Sequence, residues 1–318
     1  MFINKVKLLP KQMKQLLSHN LKYDWDRLAQ KYEDVTVDGY IPLTLPTPKV
    51  EDSQYFEVSI AFSRDEIYSN RQFNQPFTIQ SISKLITLFY VLEYYGPEKV
   101  SHKMKLSSST VDYNTMSADL FLSDNLILNP FINAGALTVA SMIKGDNHIE
   151  KVNAVIEFVR QYFQIDSAVD ESVYSFEKRN SYINYEIAAN LQQFGFLEDT
   201  IEGTLNTYLQ LCALKMTTKD LAKIGFIFQE MVCKKHEAAL VVHEAMLQCG
   251  LYRASPLSVN DKYIPAKSGV SGSILAYSYC LDALHSDNIG LGIYSPLLNS
   301  DGNSAKGYHY LRDFFGNF

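Results

Sequence analysis

The sequence predicts a mixed α/β fold of the α+β kind, an antiparallel sheet flanked by helices and joined to an all-helical domain. Three observations carry that expectation. Strand-like patterns sit near the two ends of the chain, helical periodicity of apolar residues fills the middle, and 47% hydrophobic content in 318 residues supplies enough apolar surface for a large core. Strands from both ends can share one sheet if the helical stretch between them leaves and returns as an insertion. The expected division is therefore 1–78 with 216–318 for the sheet domain and 79–215 for the helical domain, with the active site between them.

Each element follows from its local pattern. "MFINKVKLLPKQMKQLLSHNLKY" bears lysines but no acid and no arginine, and its Leu9, Met13, Leu16 and Leu17 recur at helical spacing. A leading helix lying on the fold accounts for this better than an organelle-targeting leader. A helix through "WDRLAQKYED" gives way to "VDGYIPLTLPTPKVED", where prolines stop any regular element. "YFEVSIAFS" and "EIYSN", joined by a polar turn, form a hairpin. Helical patterns then run from "SISK" through "DLFLSDNLI", "NAGALTVASMIKG", "IEKVNAVIEFVRQYF", "NYEIAANLQQFG" and "LNTYLQLCALK" to "HEAALVVHEAMLQ". "KSGVSGSILAYSY" and "NIGLGIYSPL" return to strand, and "AKGYHYLRDFFGNF" closes as a helix.

Composition narrows the function classes. A net charge of −6, with no basic block beyond "VCKKHE", offers nucleic acid little to bind, and the scattered tyrosines build no base-stacking platform. No segment reaches the ~18 apolar residues of a membrane span, and the N-terminus has no signal-peptide core, so a soluble cytoplasmic protein without a membrane partner is expected. Cys212, Cys233, Cys249 and Cys280 lack CxxC spacing and lie in apolar surroundings, as reduced, packed thiols would. His236 and His243 flank "EAALVV" on one helix without forming H-E-x-x-H, and read as a helix surface. With no P-loop and no G-x-G-x-x-G either, no metal and no cofactor are implied.

The chemistry concentrates in "QPFTIQSISKLITLFYVLEYYG". Ser81 and Lys84 stand three positions apart and share a helix face, whereas Ser83 points about 100° away from Lys84. Only Ser81 can use that lysine directly. A serine hydroxyl becomes a nucleophile when a base takes its proton, and a desolvated lysine with a lowered pKa is such a base. Free backbone N–H groups at the helix start add positive potential beside the Ser81 oxygen. An N-capping serine with a snorkelling lysine would also satisfy this one motif. A second motif bears on the choice: "KSGVSGS" opens a strand with Lys267, and S-x-x-K with a K-[ST]-G strand is the paired signature of serine acylases. That strand supplies an oxyanion N–H and a second cation.

Taken together, "GYIP", "FTIQSISK", "NPFINAGAL", "SFEKRNSYIN", "YLQLCALKM", "CGLYRAS", "PAKSGVSGSI", "YSPLL" and "GNSAKG" resemble, in this order, the glutaminases with a β-lactamase/transpeptidase-like fold. The resemblance implies hydrolysis of L-glutamine to L-glutamate and ammonia by a homo-oligomer, a dimer or tetramer. It implies Ser81 as nucleophile, Lys84 as general base, and an oxyanion pocket between the backbone N–H groups of Ser81 and Val270. By the same resemblance Glu177 faces the substrate α-ammonium, and Tyr40, Asn133, Asn184 and Tyr208 surround the amino-acid backbone. Gln80 shapes the pocket, and Tyr252 shuttles a proton to departing ammonia, with Tyr208 second. Phe176 and Tyr182-Ile183 depart from the family pattern and remove charges near Asn184, "GYIPLTLPTPK" lacks the usual acidic residue after Tyr40, and "VSGS" is less glycine-rich. Two other readings stay open at this point: a β-lactam-interacting serine hydrolase, and a catalytically inactive interaction protein on the same fold.

Overall fold

The computed structural model describes residues 25–43, 45, 54–72, 74–105, 126–278 and 288–316. The leading lysine-rich segment, Cys280 and most of "DLFLSDNLI" lie outside the described residues. The first described helix, α1, spans residues 25–34. The hairpin strands are β1 (Glu57–Ala61) and β2 (Ile67–Ser69). From the far end of the chain come β7 (Ala266–Gly269), β8 (Ser273–Tyr277) and β9 (Gly290–Tyr294). These five form one sheet in the order β2-β1-β9-β8-β7, with every neighbouring pair antiparallel, while the short β5 (Ser258–Val259) and β6 (Lys262–Tyr263) pair with each other apart from it. Strands from the two ends of the chain thus meet at β1 and β9, as the sequence pattern predicts.

Successive strand residues point to opposite faces, and the sequence assigns each face its own work. Phe56, Val58 and Ile60, Ile274 and Ala276, and Leu291 and Ile293 form one apolar layer under α1 and the closing helix α10 (Ala305–Gly316), with Trp25, Tyr32, Tyr310 and Phe314. The opposite face carries α8 (Thr218–Cys233). There β1 offers Glu57, Ser59 and Ala61 and β9 offers Gly290 and Gly292, while β8 adds the larger Leu275 and Tyr277. A Cβ on Gly290 would lie 2.0 Å from the Ala222 carbonyl, and one on Gly292 2.0 Å from the Thr218 carbonyl. The two glycines of "NIGLGIY" therefore let a helix backbone rest directly on a strand. Glu57 and Ser59 on this face are buried and satisfied by hydroxyl and amide groups: Glu57 accepts from Tyr55, Asn74 and Thr218, and Ser59 pairs with Thr218 at 2.7 Å.

The helical part surrounds α2 (Ser83–Ser101), which is buried without a break from Ser83 to Leu92. Phe89 is its centre, ringed by Phe158, Tyr162, Phe163 and Phe228. Gly96, at φ 78°, breaks the α2 geometry ahead of Pro97. Around α2 lie α3 (Asn133–Ser141), α4 (His148–Phe163), α7 (Ile201–Cys212) and α9 (Glu237–Cys249), with α5 (Glu171–Arg179) and α6 (Tyr182–Gln193) at the rim. In α4 the buried residues Val152, Val155, Val159 and Phe163 keep the spacing that identifies the helix in sequence.

Several expectations are corrected. Ser81 belongs to a 3-10 turn, Gln80–Ile82, and the α-helix itself begins at Ser83. Ile127, at the end of "DLFLSDNLI", forms a bridge with Met104 instead of a helical turn. Cys233, at the end of α8, is exposed. His243 is buried against β8, its Nδ1 2.9 Å from the Tyr277 hydroxyl, because α9 turns this face inward. Burial holds its pKa down at about 4, so it is a neutral core histidine. Among the described residues no helix is long and apolar enough to cross a membrane.

Candidate active site

The site begins with the short strand β3 (Phe77–Thr78), which pairs with β4 (Lys215–Met216). Ile79 N–H then donates to the Leu214 carbonyl at 2.9 Å, tying down the chain just before the 3-10 turn. Gln80 follows at φ 50°, a left-handed conformation that costs a non-glycine residue on the order of 1 kcal/mol or more and so must be held by its surroundings. Its side chain is the hold. Gln80 Nε2 donates to Thr78 Oγ1 and to Glu177 Oε2, both at 3.2 Å. Ser81 comes next, 8% exposed.

Lys84, one turn on, is 1% exposed, and Lys267 on β7 is fully buried. Lys84 Nζ donates to the Phe131 carbonyl at 3.0 Å and to Asn133 Oδ1 at 2.7 Å, and stands 6.0 Å from the centre of the Tyr208 ring. Among the described residues neither lysine has a carboxylate partner. Burial lowers Lys84 to about 8, against which the nearby Cys212 and Cys249 act weakly. Burial also pushes Lys267 well below the usual lysine range, with the like charge of Lys84 adding to it. Lys267 has one oxygen acceptor, the Ser268 carbonyl at 2.7 Å, and lies 4.9 Å from the Tyr252 ring centre and 5.4 Å from that of Phe131. With two acceptors against one, Lys84 is the better home for a shared proton. Burial thus lowers Lys84, as the sequence reading expects, and also disfavours the charge on Lys267, which that reading takes as a cation.

The Ser81–Lys84 relation also differs in detail. Among the described residues Lys84 donates to Phe131 and Asn133 and not to Ser81, so the amine is parked beside the nucleophile's turn rather than bonded to it. Hydrogen bonds of this kind often tighten only once substrate is bound.

Asn133, the first residue of α3, is a hub. Its Nδ2 donates to Asn184 Oδ1 at 2.9 Å, and its Oδ1 accepts from Lys84 and from the Tyr208 hydroxyl at 3.3 Å. Glu177, half-buried on α5, takes the Gln80 amide and forms no ion pair among the described residues; Lys178 lies instead over the Tyr174 ring. Burial raises Glu177 to about 7, the Gln80 hydrogen bond opposing this. A desolvated carboxylate without a cation is suited to receive one from a ligand.

The sheet closes the other side. A Cβ on Gly269 would lie 2.5 Å from the Ile79 carbonyl, so glycine here lets β7 press against the turn. A cleft of about 200 Å³ opens beside β3, with Thr78, Asp170, Lys215, Val270 and Tyr294 in its wall; Ser81 and Lys84 do not line it. Tyr252, at φ 54°, presents its ring to Lys267, and Asn303 of "GNSAKG" steadies it by donating to the Leu251 carbonyl at 3.1 Å. Tyr40 is 46% exposed and, among the described residues, is anchored through backbone bonds to Leu298, outside this hydrogen-bond network. Sequence reading missed Thr78, Cys212, whose Sγ lies 3.6 Å from Ser83 Oγ, and the segment Asn129–Ile132. The Asn-Pro step at 129 was the available signal, since it marks an ordered turn.

An antiparallel sheet and a helical bundle meeting at a serine-lysine turn, with a K-S-G strand alongside, define the β-lactamase-like fold. A family profile described as glutaminase matches residues 39–318, most of the chain. The chain belongs to the glutaminase family. It is 33% identical over 300 residues to Glutaminase 2 of Bacillus subtilis (strain 168), covering 90% of this chain and 93% of that one. It is 30% identical over 312 residues to Glutaminase 2 of Halalkalibacterium halodurans, covering 95% and 96%. A crystal structure of a probable glutaminase from Bacillus subtilis superposes with a TM-score of 0.80 at 27% identity, over 93% of this chain and 95% of the other. A Bacillus subtilis glutaminase in covalent complex with 5-oxo-L-norleucine, formed by reaction with 6-diazo-5-oxo-L-norleucine, superposes with a TM-score of 0.74 at 27% identity, over 92% and 96%.

Proposed function

We propose that this glutaminase hydrolyses L-glutamine to L-glutamate and ammonia through an acyl-enzyme on Ser81. What carries the reading is a pair of desolvated groups with complementary needs: Lys84, an amine with no carboxylate partner among the described residues, and Glu177, a carboxylate with no cation among them. Free glutamine supplies the cation. Its α-ammonium pairs with Glu177, while Asn133, Asn184, Tyr208 and Tyr40 hold the amino-acid backbone. Neutral Lys84 takes the Ser81 proton, and Ser81 Oγ bonds to the side-chain carbonyl carbon. The backbone N–H groups of Ser81 and Val270 stabilise the oxyanion. The C–N bond breaks, Tyr252 protonates the departing ammonia, and water then cleaves the γ-glutamyl ester to return Ser81.

The lobes 1–78 with 216–318 and 79–215 divide this work. Tyr40, Tyr252, Lys267 and Val270 come from the first, and Ser81, Lys84, Asn133, Glu177, Asn184 and Tyr208 from the second. Family membership also supports a cytoplasmic homo-oligomer, a dimer or tetramer, which light scattering on purified protein measures. The deciding experiment for function is ammonia release from glutamine and asparagine alongside hydrolysis of a chromogenic β-lactam. Glutamine turnover abolished by Ser81→Ala is the expected result. Turnover of the β-lactam alone would reassign the enzyme, and no turnover at all would leave an inactive member of the fold.

A further inference from the structure

We propose that Asn129 is the positioning residue for Lys84, acting through the Phe131 carbonyl that it orients. Asn129 is 1% exposed, and its Oδ1 accepts both the Phe131 N–H at 2.9 Å and the Ile132 N–H at 3.0 Å. Those two bonds set the peptide planes of the turn entering α3. The Phe131 carbonyl is thereby aimed at Lys84 Nζ, 3.0 Å away. Gly135 locks the arrangement from the other side, because a Cβ there would lie 2.2 Å from the Asn129 carbonyl. The first turn of α3 is seated on Asn129, and no larger residue fits between them. The same turn places the Phe131 ring against Lys267. One buried amide thus sets the immediate neighbour of both lysines.

The physical consequence concerns the proton on Lys84, and it rests on the reading of Lys84 as general base. Groups facing this amine are Lys267 from β7, Cys212 and Tyr208 from α7, Cys249 from α9 and Asn133 from α3, with Glu177 of α5 reaching Tyr208 and Cys212. Burial holds both thiols at about 12, so they remain neutral and leave the oxygen acceptors to steady the ammonium. An aimed carbonyl favours the charged amine. If it is released, Lys84 loses its proton at lower pH but is no longer held where Ser81 can use it.

The test is the pH profile of kcat and kcat/KM for glutamine in two variants. Asn129→Leu keeps the volume and removes the acceptor. Its profile is expected to rise at a pH lower by about 0.5 unit, with kcat down at least about 10-fold and KM within about 3-fold of the parent. Asn129→Asp keeps both backbone bonds and adds a negative charge near Lys84, so its profile moves to higher pH while plateau kcat stays within about 3-fold of the parent. A purely structural role would lower the melting temperature of both variants without moving either midpoint. Unmoved midpoints, or shifts in the same direction, overturn the proposal. Should Asn129→Leu fail to fold, an unmoved midpoint in Asn129→Asp is sufficient to overturn it. Ammonia release by the parent, lost in Ser81→Ala, tests the general-base reading separately, so the two can fail independently.

Discussion

At the nucleophile two serines two residues apart have opposite fates. Ser83 Oγ faces Cys212 in the core, whereas Ser81 sits on the turn that β7 presses against. Ser81→Ala and Lys84→Ala are each expected to reduce glutamine turnover to background, with Ser83→Ala retaining most of it. Steady-state rates of the three variants check this, and a Ser83→Ala enzyme as inactive as Ser81→Ala would mean the wrong hydroxyl was chosen. The pH dependence follows from two groups. Glu177, near 7, must lose its proton to hold the substrate ammonium, and Lys84, near 8, must lose its own to act as base. Both requirements favour alkaline pH. For the parent, kcat/KM is expected to rise from pH 6 to 9, approaching about 100-fold per pH unit at the acid end, where both groups are protonated. Glu177→Gln should raise KM and reduce that slope to about 10-fold per unit. A parent rate flat across this range, with chemistry rate-limiting, would remove both assignments.

Elements hold these residues by backbone contacts that side-chain patterns barely reveal. The strand patterns of β1, β8 and β9 were legible in the sequence. Helices α4, α9 and α10 were legible because each has one buried face and keeps its period along the sequence, whereas α3 is buried on every side. The 3-10 turn at Gln80–Ile82 and the β3–β4 pair were not legible, because strands of two residues carry no period and the turn is fixed by Glu177 and Leu214, far away in sequence. The packing of α8 on β9 through glycine is the energetic counterpart. Gly290→Val would drive side-chain atoms into the Ala222 carbonyl and the Phe226 N–H, fixed main-chain groups that cannot turn aside. A loss of about 3 kcal/mol or more is expected, visible as a fall in melting temperature of at least roughly 5 °C. An unchanged thermal transition would show that α8 can lift off the sheet at no cost.

Across the whole molecule, substrate choice is a matter of distance between the helical rim and the Ser81 turn. If the amino-acid head is held as proposed, by Glu177, Asn133 and Asn184, the side chain alone has to reach Ser81. Asparagine, one methylene shorter, leaves its carbonyl carbon more than about 1 Å short of attack distance. Glutamine is therefore expected to be preferred by at least about 100-fold in kcat/KM, and N-acetylglutamine, which has no ammonium, to be a poor substrate. Comparable rates for the three amides would overturn the anchored-head geometry. The sequence by itself determined the fold class and the contribution of both chain ends to one sheet, and through the resemblance carried by its motifs the family, because apolar periodicity and motifs are local properties of a chain; it proposed the Ser81–Lys84–Lys267 set. Only the tertiary structure decided that Lys84 is held by Phe131 and Asn133, that Lys267 is pressed toward neutrality, and that Glu177 is left without a cation. Those are properties of burial and of partners brought together from distant segments, and the free energy of a charge depends on what surrounds it in space, which residue order does not state.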